Sequence, residues 1–109
     1  MTLEASLDAT VDEDAEFVFH VVNTGTDPVE LTFRSGQTAD LTVYDADGET
    51  VWQWSEGRMF TQAIERATLD PGEAFEQQFL WNEPPDGTYT AVATLEADMD
   101  AEAQTTVSI

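Results

Sequence analysis

Cysteine is absent from this sequence, which excludes a disulfide framework, a thiolate metal site and a cysteine nucleophile. Lysine is absent too, and the only cations are Arg34, Arg58 and Arg66. Reading phosphate requires clustered Lys and Arg, so nucleic acid is not an expected partner. No run approaches the ~20 apolar residues of a membrane helix, and the first residues show neither the basic segment nor the apolar stretch of a signal peptide. The expectation is a soluble cytoplasmic protein with no membrane partner. Helical periodicity is also missing over any segment of about ten residues, so helix content should be small.

What is present in excess is acid. Twenty-three Asp and Glu give a net charge of −20 over 109 residues. The acids do not form a tail: Glu4, Asp14, Glu30, Asp47, Glu65, Glu76 and Glu96 sample nearly every segment. Such chains are often disordered, but 41% of these residues are hydrophobic and they alternate, which predicts a fold. The charge fits a halophilic host, because at about 1 M salt the Debye length shrinks to about 3 Å and self-repulsion is screened. Folding should then depend on salt. Equally sharp thermal unfolding in dilute and molar KCl would count against that expectation.

The alternation runs along the chain. Leu3, Ala5, Leu7, Ala9 and Val11 fall on every second position, as in a half-buried strand. After the acidic turn at 12–14, residues 16–23 (EFVFHVVN) read as a central strand. The turn formers at 24–28 lead to a strand at 29–33, and 34–37 interrupts the pattern before a strand at 41–45. Asp45-Ala46-Asp47-Gly48 is a hairpin turn, followed by 49–54, with Trp52 and Trp54 on one face and Val51 and Gln53 on the other. The period is lost at 55–62. Further strands are expected at 64–69, 75–81, 88–97 and 104–109, punctuated by Asp70-Pro71-Gly72 and Pro84-Pro85-Asp86-Gly87. The prediction is one all-β domain over residues 1–109, an immunoglobulin-like antiparallel β-sandwich of eight or nine strands; an up-and-down barrel is the alternative. If each strand reverses the one before, the loops at 12–14, 34–37, 55–62 and 82–87 share one end, bringing Arg34 and Arg58 together there.

Few residues offer chemistry. Asp45 to Glu49, with Glu56 downstream, resembles a calcium loop only superficially, since Gly48 stands fourth and not sixth; a plain hairpin is expected. His20 is the sole histidine and lies mid-strand, where a hydrogen-bonded structural role is expected over triad chemistry. No glycine-rich phosphate loop exists, and neither cofactor, metal nor catalysis is predicted. Trp52, Trp54, Trp81, Tyr44 and Tyr89 could form a sugar platform, but aromatics of this kind usually fill sandwich cores. The remaining feature is Ser55-Glu56-Gly57-Arg58-Met59-Phe60, where Met, Phe and Arg are typical interface anchors. The plainer possibility is that Met59 and Phe60 tuck under the sandwich as a plug.

The ordered set Ser35-Gly36-Gln37, Leu41 to Asp45 (LTVYD), the turn to Gly48, Val51 to Ser55 (VWQWS), Met59-Phe60-Thr61-Gln62-Ala63, Leu69 with Pro71-Gly72-Glu73, Trp81, and Gly87-Thr88-Tyr89 resembles the BsuPI-type intracellular proteinase inhibitor domain. The resemblance covers roughly residues 16–97. It implies an immunoglobulin-like sandwich and inhibition of an intracellular, subtilisin-type serine protease. On that expectation Met59 or Phe60 fills an apolar specificity pocket, while Arg58, the 34–37 loop with Arg34 and Gln37, and the 82–87 loop form the rim. A preformed loop avoids the ordering cost of binding, and here its flanking strands must supply the rigidity. The competing readings are a non-inhibitory interaction module that pairs through a sheet edge and, more weakly, carbohydrate binding through exposed tryptophans.

Overall fold

A computed structural model describes residues 3–109. Among these, nine strands occur and no helix: β1 (Leu3–Val11), β2 (Ala15–Asn23), β3 (Val29–Phe33), β4 (Ala39–Tyr44), β5 (Thr50–Gln53), β6 (Glu65–Leu69), β7 (Ala74–Trp81), β8 (Thr88–Leu95) and β9 (Glu102–Ser108). They form a three-stranded sheet in the order β1-β2-β7, a four-stranded sheet in the order β5-β4-β8-β9, and a two-stranded ribbon of β3 and β6, every pairing antiparallel. These open sheets are a sandwich and not a closed barrel.

The period of two explains the layering. On β2, residues Ala15, Phe17, Phe19, Val21 and Asn23 are buried while the alternate residues are at least partly exposed. On β8 the inward set is Tyr89, Ala91, Ala93 and Leu95. These residues meet Leu41 and Val43 of β4 and Phe79 and Trp81 of β7 in one core cluster. Along one side of the sandwich β1 packs against β9. Along the other, β5 faces β7, and the tryptophan within it and the one just after it close the seam: Trp52 stacks on Trp81 at 5.7 Å, and Trp54 meets Phe79 edge-on at 5.1 Å.

Two buried joints lock the ends. Asn23 is fully buried and donates from Nδ2 to the carbonyls of Asp27 and Leu69, both at 2.8 Å, while its Oδ1 accepts from Gly25 N. The Asn23 backbone bonds the turn before β7, donating to Glu73 O and accepting from Gly72 N. At the opposite end the Tyr89 hydroxyl donates to Pro85 O at 2.9 Å, in the manner of a tyrosine corner. Gly87 makes room for it, since a Cβ there would lie 3.1 Å from that hydroxyl.

The expected sharing of ends holds only in part. The 12–14 and 82–87 loops adjoin, with Glu83 N donating to Asp14 Oδ1 at 2.9 Å. The 34–37 and 55–62 loops also adjoin, through Gly36 N donating to Thr61 O at 2.9 Å, but they approach the first pair only where Glu56 and Arg58 share a depression with Asn82. Instead they lie toward residues 96–98, where Glu96 N donates to Thr38 O, and the 45–48 turn takes the end of the 82–87 loop, since Tyr44 pairs with Thr90. The reason is β3. It starts beside the buried Asn23 joint and ends in a bridge from Phe33 to Ala97, so it crosses between layers and does not reverse direction within one. Thr32 fixes the crossing by exchanging bonds with Asp98, donating to Oδ1 at 2.9 Å and accepting from the amide at 3.1 Å.

Candidate functional site

The loop that follows β5 opens with two tight turns, closed by Glu56 N donating to Gln53 O and Arg58 N donating to Ser55 O. Gly57 takes φ +79°, a conformation that suits glycine. From Arg58 to Ile64 the chain is free of regular structure. Met59 stands at the tip with 98% of its surface exposed, which excludes it from a plug. Phe60 does turn inward, its ring 5.9 Å from that of Trp54.

Both stems of the loop are fixed by residues remote in sequence. The first is held by Asp40, which is only 6% exposed. Its Oδ1 accepts from the amides of Leu41 (2.8 Å) and Ser55 (3.1 Å), and its Oδ2 from Gln53 Nε2 and Ser55 Oγ, both at 2.7 Å. Four donors thus satisfy one buried carboxylate, which would be costly to bury unpaired. The second stem is held by the Gly36–Thr61 bond. A Cβ on Gly36 would fall 2.7 Å from Thr61 Oγ1, so the close approach requires glycine. Ser35 shapes the partner loop by accepting from Gln37 N at 3.1 Å.

Arg58 is held as well. Its Nε donates to Trp54 O at 2.8 Å, and its guanidinium carbon lies 4.3 Å from the Trp54 ring centroid, a cation–π contact. It lines a shallow depression with Trp52, Trp54, Leu80 and Asn82. Arg34 and Gln37 line a different one, with Ser35, Glu96 and Asp98. The structure therefore brings Ser55, Glu56, Gly57, Arg58, Met59 and Phe60 into one projection, places Arg34 and Gln37 beside it across the Gly36–Thr61 contact, and leaves the 82–87 loop outside apart from Asn82.

The other candidates are occupied structurally. Asp45 spends its carboxylate on its own turn, accepting from Asp47 N and Glu49 N at 2.9 and 3.0 Å, so the hairpin is closed locally. His20 lies on the outer face of its sheet between Glu76 (3.4 Å) and Asp8 (3.9 Å). Trp81 and Tyr89 are buried edge-to-face at 5.1 Å, while Trp52 and Trp54 are half-buried against Trp81 and Phe79. Asp40 was not distinguishable beforehand, because one acid among many carries no mark of its burial. Its only signal is position, at the head of an inward-facing strand.

A family model described as BsuPI, intracellular proteinase inhibitor, matches residues 2–99. The chain belongs to this family. Several of the residues that carry the likeness to BsuPI domains are those that fix the loop ends: Gly36 meets Thr61, Gly87 accommodates Tyr89, and Gly72 and Glu73 bond Asn23. No curated protein matches the chain. Among solved structures, the CARDB domain of a Pyrococcus furiosus protein, in complex with di-metal ions, is 22% identical with a TM-score of 0.53, covering 97% of this chain and 85% of that one. A penta-heme cytochrome c552 from Thermochromatium tepidum gives a TM-score of 0.61 at 12% identity, and red sea bream transglutaminase gives 0.59 at 9%. They cover 97% and 100% of this chain, which spans 40% of the cytochrome chain and 16% of the transglutaminase. At these identities the likeness shows the fold alone, an immunoglobulin-like sandwich.

Proposed function

We propose that this BsuPI domain inhibits a subtilisin-type serine protease inside the cell by inserting the 55–60 loop into the active-site cleft, with Met59 in a large apolar specificity pocket. The observation that carries the reading is Met59 itself: a fully exposed apolar side chain on a loop whose stems are pinned by Asp40 and by Gly36. Exposed apolar side chains on a rigid support are how binding energy is concentrated. Phe60, folded onto Trp54, is the poorer candidate for the pocket. Arg58 and, beyond the Gly36 contact, Arg34 and Gln37 form the rim.

The test is inhibition of purified serine proteases in molar KCl by the wild type and by Met59→Asp. Loss of inhibition in the folded variant is expected. Unchanged inhibition would move the site elsewhere, and a wild type inactive against several proteases would sink the inhibitory reading. The salt reflects a second part of the proposal, that the −20 net charge is an adaptation to a halophilic cytoplasm.

One observation favours a non-inhibitory interaction module. Among the described residues β6 pairs only with β3, leaving its other edge open, and Ile64 before it is 65% exposed. An open edge accepts an added strand. Retained partner capture by Met59→Asp, lost on Ala67→Pro, would support that alternative.

A further inference from the structure

We infer that Met59–Phe60 is the bond this domain offers to the protease, and that Trp54 is a clamp which keeps both sides of that bond in place after it is cut, so that cleavage reverses. The inference rests on the inhibitory reading above. Its basis is that the residues on either side of the exposed Met59 are anchored to the same side chain. Arg58 precedes it, with its Nε on the Trp54 carbonyl at 2.8 Å and its guanidinium 4.3 Å from the ring centroid. Phe60 follows it, with its ring 5.9 Å from the same indole. Trp54 is itself immobilised by the edge contact with Phe79 at 5.1 Å. The next residue, Thr61, is tied by its carbonyl to Gly36 N. Among the described residues only Glu83 combines a side chain with positive φ, so Arg58 to Thr61 keep the negative φ that an extended substrate also has.

The chemistry follows from that anchoring. The serine Oγ of the protease attacks the Met59 carbonyl carbon, and its proton passes through the protease's histidine to the Phe60 nitrogen. The Met59–Phe60 C–N bond breaks as the ester to the serine forms, leaving a neutral α-amine on Phe60. An ordinary substrate loses that amine to solvent, and water takes its place. Here the amine stays beside the ester at high effective concentration. It attacks the ester carbon, the peptide bond re-forms, and the proton returns to the serine with no net consumption of water. Met59 fills the pocket, whereas Trp54 is a positioning residue that acts through Arg58 and Phe60.

The experiment uses the full chain with catalytic subtilisin in molar KCl, followed by mass spectrometry after denaturation. The expected result is slow conversion to a two-chain form one water heavier, cut only between Met59 and Phe60, still inhibitory, and able to reseal to intact chain when returned to fresh enzyme. Phe60→Ala removes one anchor while leaving Trp54 on Phe79, and should be cut at the same bond on the order of tenfold faster, with resealing lost. Trp54→Ala should exceed it, and Trp54→Phe should recover part of the resealing, which a merely structural role would not produce. Inhibition by the wild type with a cut elsewhere, with no cut, or without resealing overturns this inference alone, as does Phe60→Ala behaving as wild type. A wild type that inhibits no serine protease overturns the inhibitory reading and this inference with it.

Discussion

The two connections that flank β5 are each held by one aspartate, and they are held in opposite ways. Before β5, Asp45 accepts from the amides of Asp47 and Glu49 and closes its own turn. After β5, the loop is closed by Asp40, which accepts from Gln53 and Ser55 across 13 and 15 residues of sequence. The first arrangement needs only local geometry and water does not have to be excluded from it. The second places a carboxylate in the interior, where losing a partner strands the rest. The difference explains why one connection is an ordinary hairpin and the other can hold an exposed Met59 in a fixed place.

Substitution should separate the two. Asp40→Ala strands the buried Leu41 amide and the part-buried donors of Gln53 and Ser55, and should cost about 3 kcal/mol in urea unfolding at molar KCl. Its loop should also become an early site of proteolysis. Gly36→Ala at the other stem drives a Cβ into Thr61 Oγ1, a clash expected to cost about 1–2 kcal/mol. Thr61→Ala in the same chain should recover part of it, and the double-mutant cycle measures how much. Asp45→Ala should cost about 1 kcal/mol, the value of local side-chain bonds to exposed amides. A loss as large as that of Asp40→Ala would erase the difference between the two aspartates. Met59→Asp should change stability by less than about 0.5 kcal/mol, since the side chain touches little, while removing inhibition. Calorimetry beside a protease assay checks both halves of that statement.

Periodicity made the strands legible. Leu3 to Val11 and Val29 to Phe33 match the expected bounds, and Trp52 and Trp54 both face β7, the alternation of β5 carrying one residue past its end. The crossing of β3 was not legible, since its pairing with β6 and Ala97 depends on partners far away in sequence, and a parity count assumes neighbours. In the candidate site, the irregularity of 55–62 and the presence of Met59 were visible, but their division of labour was not. Met59 and Phe60 are adjacent, apolar and similar in size, yet one is fully exposed and the other rests on Trp54. Only the position of an indole fixed by Phe79 separates them.

Local chemistry thus determined where the chain turns, which residues face inward, and that no thiol, lysine or helix takes part. Those properties follow from steric rules and a two-residue period acting over a few neighbours. The tertiary structure decided which loops meet, which aspartate is buried, and which apolar side chain of the loop is presented. Each depends on contacts such as Gly36 with Thr61 or Asp40 with Ser55. Such contacts exist only after both sheets have closed on a common core, because their partners lie on separate strands and loops and no local preference brings them together.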